Sequence, residues 1–121
     1  MNFILVMFGG AIGSGLRYGV HVLFPGADGS FPLNTLAINV VGSFCLALLA
    51  MAVSSHVVSR EWSLLLGVGL CGGFTTFSTF SVEMFYLIET SRAWSALLYA
   101  LLSVVGGLFA AFAGYLVGRQ F

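Results

Sequence analysis

Charge is so scarce in this sequence that water cannot be the solvent for most of its surface. The 121 residues hold four arginines, no lysine and four acidic side chains, so 7% of the chain is charged and 60% is hydrophobic. Soluble domains carry about 25% charge, and a single core of this size would leave a wide surface with too few polar groups to cover it. The lipid bilayer is the remaining solvent. Zero formal net charge and the lack of any basic cluster exclude a nucleic-acid partner and polybasic attachment to anionic lipid.

A bilayer is crossed by about 20 mostly apolar residues in a helix. Division at Pro, Gly and charge clusters predicts four spans, at residues 3–24, 33–54, 62–89 and 93–118, all within one domain covering 1–121. Pro25-Gly26-Ala27-Asp28-Gly29-Ser30 separates the first two, and Arg60-Glu61 precedes the third. Trp62 and Trp94 open the last two spans at the level that amphipathic rings prefer, and Tyr115 lies near the close of the fourth. Runs such as Ala96-Leu97-Leu98-Tyr99-Ala100-Leu101-Leu102 do not alternate as barrel strands do, so the predicted fold class is an all-α membrane protein. The N-terminus lacks the positive leader of a signal peptide, and its apolar stretch reads as a retained first span.

With four spans, Arg60 and Arg119 share one side and Arg92 stands alone on the other. So small a bias permits insertion in both orientations, and hence an antiparallel pair. Four short helices enclose little aqueous space on their own, which also predicts a homodimer or larger oligomer. Gly9, Gly13, Gly19, Gly106, Gly107, Gly114 and Gly118 supply small faces for close helix approach. Cys45 and Cys71 lie far apart in apolar runs and read as packing residues.

The most unusual segment is Gly72-Gly73-Phe74-Thr75-Thr76-Phe77-Ser78-Thr79-Phe80-Ser81, in the middle of the third span. Paired glycines and a hydroxyl run are poor helix formers, and this predicts a third helix broken mid-membrane. Carbonyls freed at such a break need partners in protein, water or a cation; the competing reading is a kinked helix with its hydroxyls bonded to their own turn. Phe77 and Phe80 share a helical face beside hydroxyls from Thr76, Ser78, Thr79 and Ser81. Electropositive ring edges and O–H donors suit a small hydrated anion, whereas aromatic core packing is the structural alternative.

Asn39 needs a hydrogen-bond partner or a cavity at its depth. Arg17 and Glu83 are ionisable within spans and count as functional candidates, although Arg17 is near enough to its span end to snorkel. Ser95, Tyr99 and Ser103 recur every four residues and form a stripe that reads as a helix seam or a pore wall. No nucleophile–base pair, phosphate loop or ligand cluster is present, which argues against an enzyme.

Three blocks, Gly10-Ala11-Ile12-Gly13-Ser14-Gly15-Leu16-Arg17-Tyr18, Asn34-Thr35-Leu36-Ala37-Ile38-Asn39-Val40-Val41-Gly42-Ser43-Phe44 and Gly72 to Glu83, together resemble the Fluc (CrcB) family of small fluoride channels. The resemblance spans nearly the whole chain. It implies a dual-topology antiparallel homodimer in the bacterial inner membrane, passive and fluoride-selective over chloride, with two pores and a structural Na⁺ on the two-fold axis. Carried over by position, the carbonyls of Gly72 and Thr75 hold Na⁺. Phe77, Phe80, Asn39, Thr79, Ser81, Tyr99 and Ser103 line or adjoin the fluoride path, with Arg17 and Glu83 as vestibule or polar support. Asn34 and Gly107 depart from residues common in the family, glycine and serine respectively.

A conducted halide needs donors without a fixed countercharge strong enough to trap it, and amide, hydroxyl and ring edge meet that need. A small four-helix multidrug-type transporter is the alternative, but it requires a carboxylate in the first span, which here has none. A non-transporting membrane scaffold would leave the hydroxyl-rich third span without a purpose.

Overall fold

The computed structural model describes all 121 residues and contains helices, turns and no strands. Helix α1 is Asn2–Leu23 and α2 is Leu33–Ser54. The third segment opens with α3 (Arg60–Trp62), widens into a π-helix (Ser63–Cys71) and returns to α geometry in α4 (Gly72–Phe74). After Thr75 and Thr76, α5 (Phe77–Glu89) follows, and α6 (Ala93–Gly118) completes the chain. Four stretches are long and apolar enough to cross a membrane: Asn2–Leu23, Leu33–Ser54, Arg60–Glu89 and Ala93–Gly118. Twenty-two residues, the length of α1 and of α2, rise about 33 Å, close to the thickness of a hydrocarbon core.

Each helix ends for a local reason. Beyond α1, the Phe24 N–H reaches back to the Val20 carbonyl, and Pro25-Gly26 prevents continuation. Two other ends share a Schellman geometry. His56 N–H bonds Val53 O and Val57 N–H bonds Ala52 O after α2; Ser91 N–H bonds Ile88 O and Arg92 N–H bonds Leu87 O after α5. Both motifs place a non-glycine residue in the left-handed region, His56 at φ 58° and Ser91 at φ 60°.

Packing divides the helices into two groups. α1 seats on the π-helix and α4, whereas α2 runs along α6 and α5 leans on α6. The first seat is made backbone against backbone. A Cβ at Gly9 would overlap Leu65 O, and one at Gly13 would overlap Leu70 O. Only 15 of 121 residues are buried, and Phe8, Leu108 and Phe109 are among many exposed apolar side chains. Such a surface is stable against lipid or a second copy of the chain, not against water.

The interruption falls later than the paired glycines alone suggest. Gly72 and Gly73 remain helical, and Gly73 serves close packing instead: a Cβ there would lie 2.6 Å from Gly10 O of α1. The backbone turns extended only at Thr75 (φ −76°, ψ 158°) and Thr76 (φ −154°, ψ 120°).

Candidate functional site

The two extended residues leave backbone groups without helical partners, and α2 supplies replacements. Asn39 donates from Nδ2 to Thr76 O at 3.0 Å and accepts from Thr76 N–H through Oδ1 at 2.8 Å. One side-chain amide thus pairs with both polar groups of the same residue, as a neighbouring strand would. Thr76, itself buried, caps α5 by accepting from the Thr79 N–H at 3.2 Å, and its hydroxyl donates to Thr79 Oγ1 at 3.0 Å. From α1, Arg17 Nη1 donates to Thr75 O at 3.3 Å. Arg17 is therefore turned inward to the interruption instead of snorkelling outward.

Beside this knot lies a cavity of about 310 Å³ lined by Asn39, Ser43, Thr76, Phe77, Phe80 and Ser103, among others. No side chain lining it is charged. Phe77 and Phe80 stand with ring centroids 5.7 Å apart and planes at 40°. Phe80 continues to Tyr99 at 5.0 Å, and Phe31 meets Tyr99 edge-on at 5.5 Å, so the rings form a chain. The Ser103 hydroxyl is buried without a hydrogen-bond partner. Phe77 is 78% exposed in the single chain, which leaves one wall of the cavity open.

Glu83, Tyr99 and Thr35 form a second polar cluster. Thr35 Oγ1 donates to Glu83 Oε1 at 2.8 Å, and the Tyr99 hydroxyl donates to Glu83 Oε2 at 2.7 Å. Each carboxylate oxygen is satisfied by a hydroxyl from a different helix, and both donors are fully buried. A larger cavity of about 930 Å³ reaches this cluster between the end of α1, the loop to α2, and α5, and includes His21, Asn34, Thr35, Glu83 and Arg92. Its loop is tied by Asn34 Nδ2 to Phe24 O at 2.6 Å and by Arg92 to Gly29 O.

Of the residues singled out in the sequence, Asn39, Thr75, Phe77, Phe80 and Ser103 meet at the smaller cavity. Glu83 and Tyr99 lie to one side of it, linked through the Phe80–Tyr99 ring contact. Thr79 is occupied in the α5 cap, and Ser81 donates to its own Phe77 carbonyl at 2.9 Å; neither lines this cavity. Gly72, which opens α4, is exposed, and Thr75, just past its close, is half-buried. Thr76, one of the hydroxyls singled out beside the two rings, lines the smaller cavity too. Thr35 and Ser43 carry contacts not expected from the sequence, although Thr35, Asn39 and Ser43 recur every four residues on one face of α2.

The family described as CrcB-like protein, Camphor Resistance (CrcB), matches residues 4–115. A curated protein of Thermus thermophilus named fluoride-specific ion channel FluC is 45% identical over 118 residues, covering 97% of this chain and 94% of that one. One of the same name from Oceanobacillus iheyensis is 46% identical, covering 93% and 88%. Fluoride-specific ion channel FluC 1 of Streptomyces avermitilis is 47% identical, covering 94% and 93%.

Proposed function

This chain belongs to the CrcB-like family, and on that premise we propose that it is a passive, fluoride-selective ion channel and not an enzyme. The observation that carries the reading is the smaller cavity: an amide, hydroxyls and two phenyl rings, with no charged side chain in its lining. Ring edges and O–H donors stabilise a small anion through partial charges. Conduction requires binding weak enough for the ion to leave, and donors of partial charge meet that requirement. The unpartnered Ser103 hydroxyl has its proton free for a guest.

The interruption supports the same reading. Where a helix stops and restarts, its ends present opposite partial charges: carbonyls at the close of α4 and N–H groups at the start of α5. The α5 end, with Phe77 and Thr79, lies on the anion side. The Gly72 and Thr75 carbonyls belong to the last turn before the interruption, and Thr75 O accepts one hydrogen bond, from the cationic Arg17. Neutral hard oxygens at a negative helix end fit a structural Na⁺, which would be held by Gly72 and Thr75 and would supply positive charge at that end.

The working unit of this proposal is an antiparallel, dual-topology homodimer in the bacterial inner membrane. The open wall at Phe77 and the exposed Gly72 are the surfaces a second copy would cover. A negative interior, worth about 2.3 kcal/mol per charge at 100 mV, drives fluoride outward through a passive pore, so no coupling ion is needed. The test is fluoride efflux from liposomes holding purified protein, read with a fluoride electrode beside a chloride-loaded control. Rapid fluoride loss with chloride retained is the expected result; retention of both by folded protein overturns the reading.

A further inference from the structure

The hydroxyl stripe on α6 runs Ser95, Tyr99, Ser103 and then stops, because the next position at that spacing is Gly107. The space beside Gly107 is not apolar. A Cβ there would lie 3.7 Å from the Ser43 hydroxyl oxygen of α2, so that hydroxyl faces the point where α6 lacks one. Ser43 lines the same cavity as Ser103, Asn39 and Phe80.

We propose that Ser43 is an anion-binding hydroxyl of this channel, and that the fluoride path crosses from α6 to α2 at Gly107. The inference rests on the fluoride-channel reading above and deepens it by naming a binding residue. The Ser43 hydroxyl now donates to Asn39 O at 2.7 Å, one turn back on its own helix. That carbonyl is already within reach of its intrahelical N–H partner, so the hydroxyl bond is supplementary and is exchanged at little cost. A side-chain rotation redirects the proton into the cavity, and an ion leaving Ser103 meets a fresh donor. Gly107 contributes space: with Ser43 present, a methyl group there would sit against its hydroxyl, in the gap between the two helices that the ion must share with Ser43.

The experiment compares fluoride efflux from liposomes containing dimers of wild type, Ser43→Ala, Gly107→Ala and the double variant Ser43→Ala/Gly107→Ser. Ser43→Ala is expected to slow efflux about tenfold, the equivalent of one lost hydrogen bond to an ion. Gly107→Ala slows it by placing a methyl against Ser43. The double variant recovers much of the rate, because α6 then supplies the hydroxyl; a purely structural bond from Ser43 to Asn39 O would not be rescued this way. Should Ser43→Ala fail to assemble, Ser43→Thr against its isostere Ser43→Val makes the same comparison, with only Thr conducting. Wild-type rates in Ser43→Ala or in Ser43→Val, or a double variant as slow as Ser43→Ala, overturn the role of Ser43 while leaving the channel reading intact. Wild-type liposomes that retain fluoride overturn both.

Discussion

The two halves of the third span, on either side of Thr75 and Thr76, are held in place by opposite means. Residues 60–74 seat on α1 through glycines, with main chain against main chain and no side-chain hydrogen bond across the seam. Phe77–Glu89 meets α2 and α6 through large rings and a carboxylate shared by two hydroxyls. In the first half Gly69 and Gly73 leave no room for a Cβ against α1, while the second half borders cavities of about 310 and 930 Å³. A rigid, side-chain-free seat fixes where the helix stops, and the looser polar half beyond it is left free to handle an ion.

The sharpest way to break this contrast is Gly13→Leu. The new side chain meets Leu70 O and Phe74 N, and relaxation requires separating two helices, so loss of at least about 3 kcal/mol is expected. Size-exclusion chromatography should show no monodisperse assembly. Next is Asn39→Ala, which strips both polar groups of Thr76 of their partners. At about 1–3 kcal/mol for each unsatisfied group, thermal stability falls and fluoride efflux is lost. Phe80→Ile keeps the bulk but removes the ring between Phe77 and Tyr99; fluoride efflux should drop at least about tenfold, the effect of about 1.4 kcal/mol in barrier, with assembly unchanged. The mildest is Ser91→Gly at the end of α5, where relief of the left-handed backbone should raise the unfolding temperature by the equivalent of about 0.5 kcal/mol without altering efflux.

The contrast also separates what the sequence discloses from what it conceals. Four apolar helices are written in the scarcity of charge together with apolar runs that do not alternate, since only helices and closed barrels satisfy backbone groups in lipid. The hydroxyl and phenylalanine pattern from Thr75 to Ser81 marked the second half as unusual. The point of interruption is less legible: Gly72 and Gly73 look like breakers, yet both stay helical, the small size of Gly73 serves the α1 seat, and Thr75 and Thr76 depart from the helix instead. The pairing of Asn39 with Thr76 and of Glu83 with Thr35 and Tyr99 depends on how α2, α5 and α6 come together. Sequence separations of 37, 48 and 16 residues leave no local trace of those bonds.

The Glu83 cluster also sets an order of events during synthesis. Thr35 precedes Glu83 by 48 residues and Tyr99 follows it by 16, so one donor reaches the bilayer ahead of the carboxylate and the other behind it. Translation at about 5–20 residues per second leaves that interval on the order of seconds. Until α6 arrives, the nascent chain carries a half-satisfied acid in a medium that penalises it, and the last span to be made is the one that closes the account. A chain ending before Tyr99 would leave one oxygen of Glu83 without the hydroxyl that meets it in the complete fold.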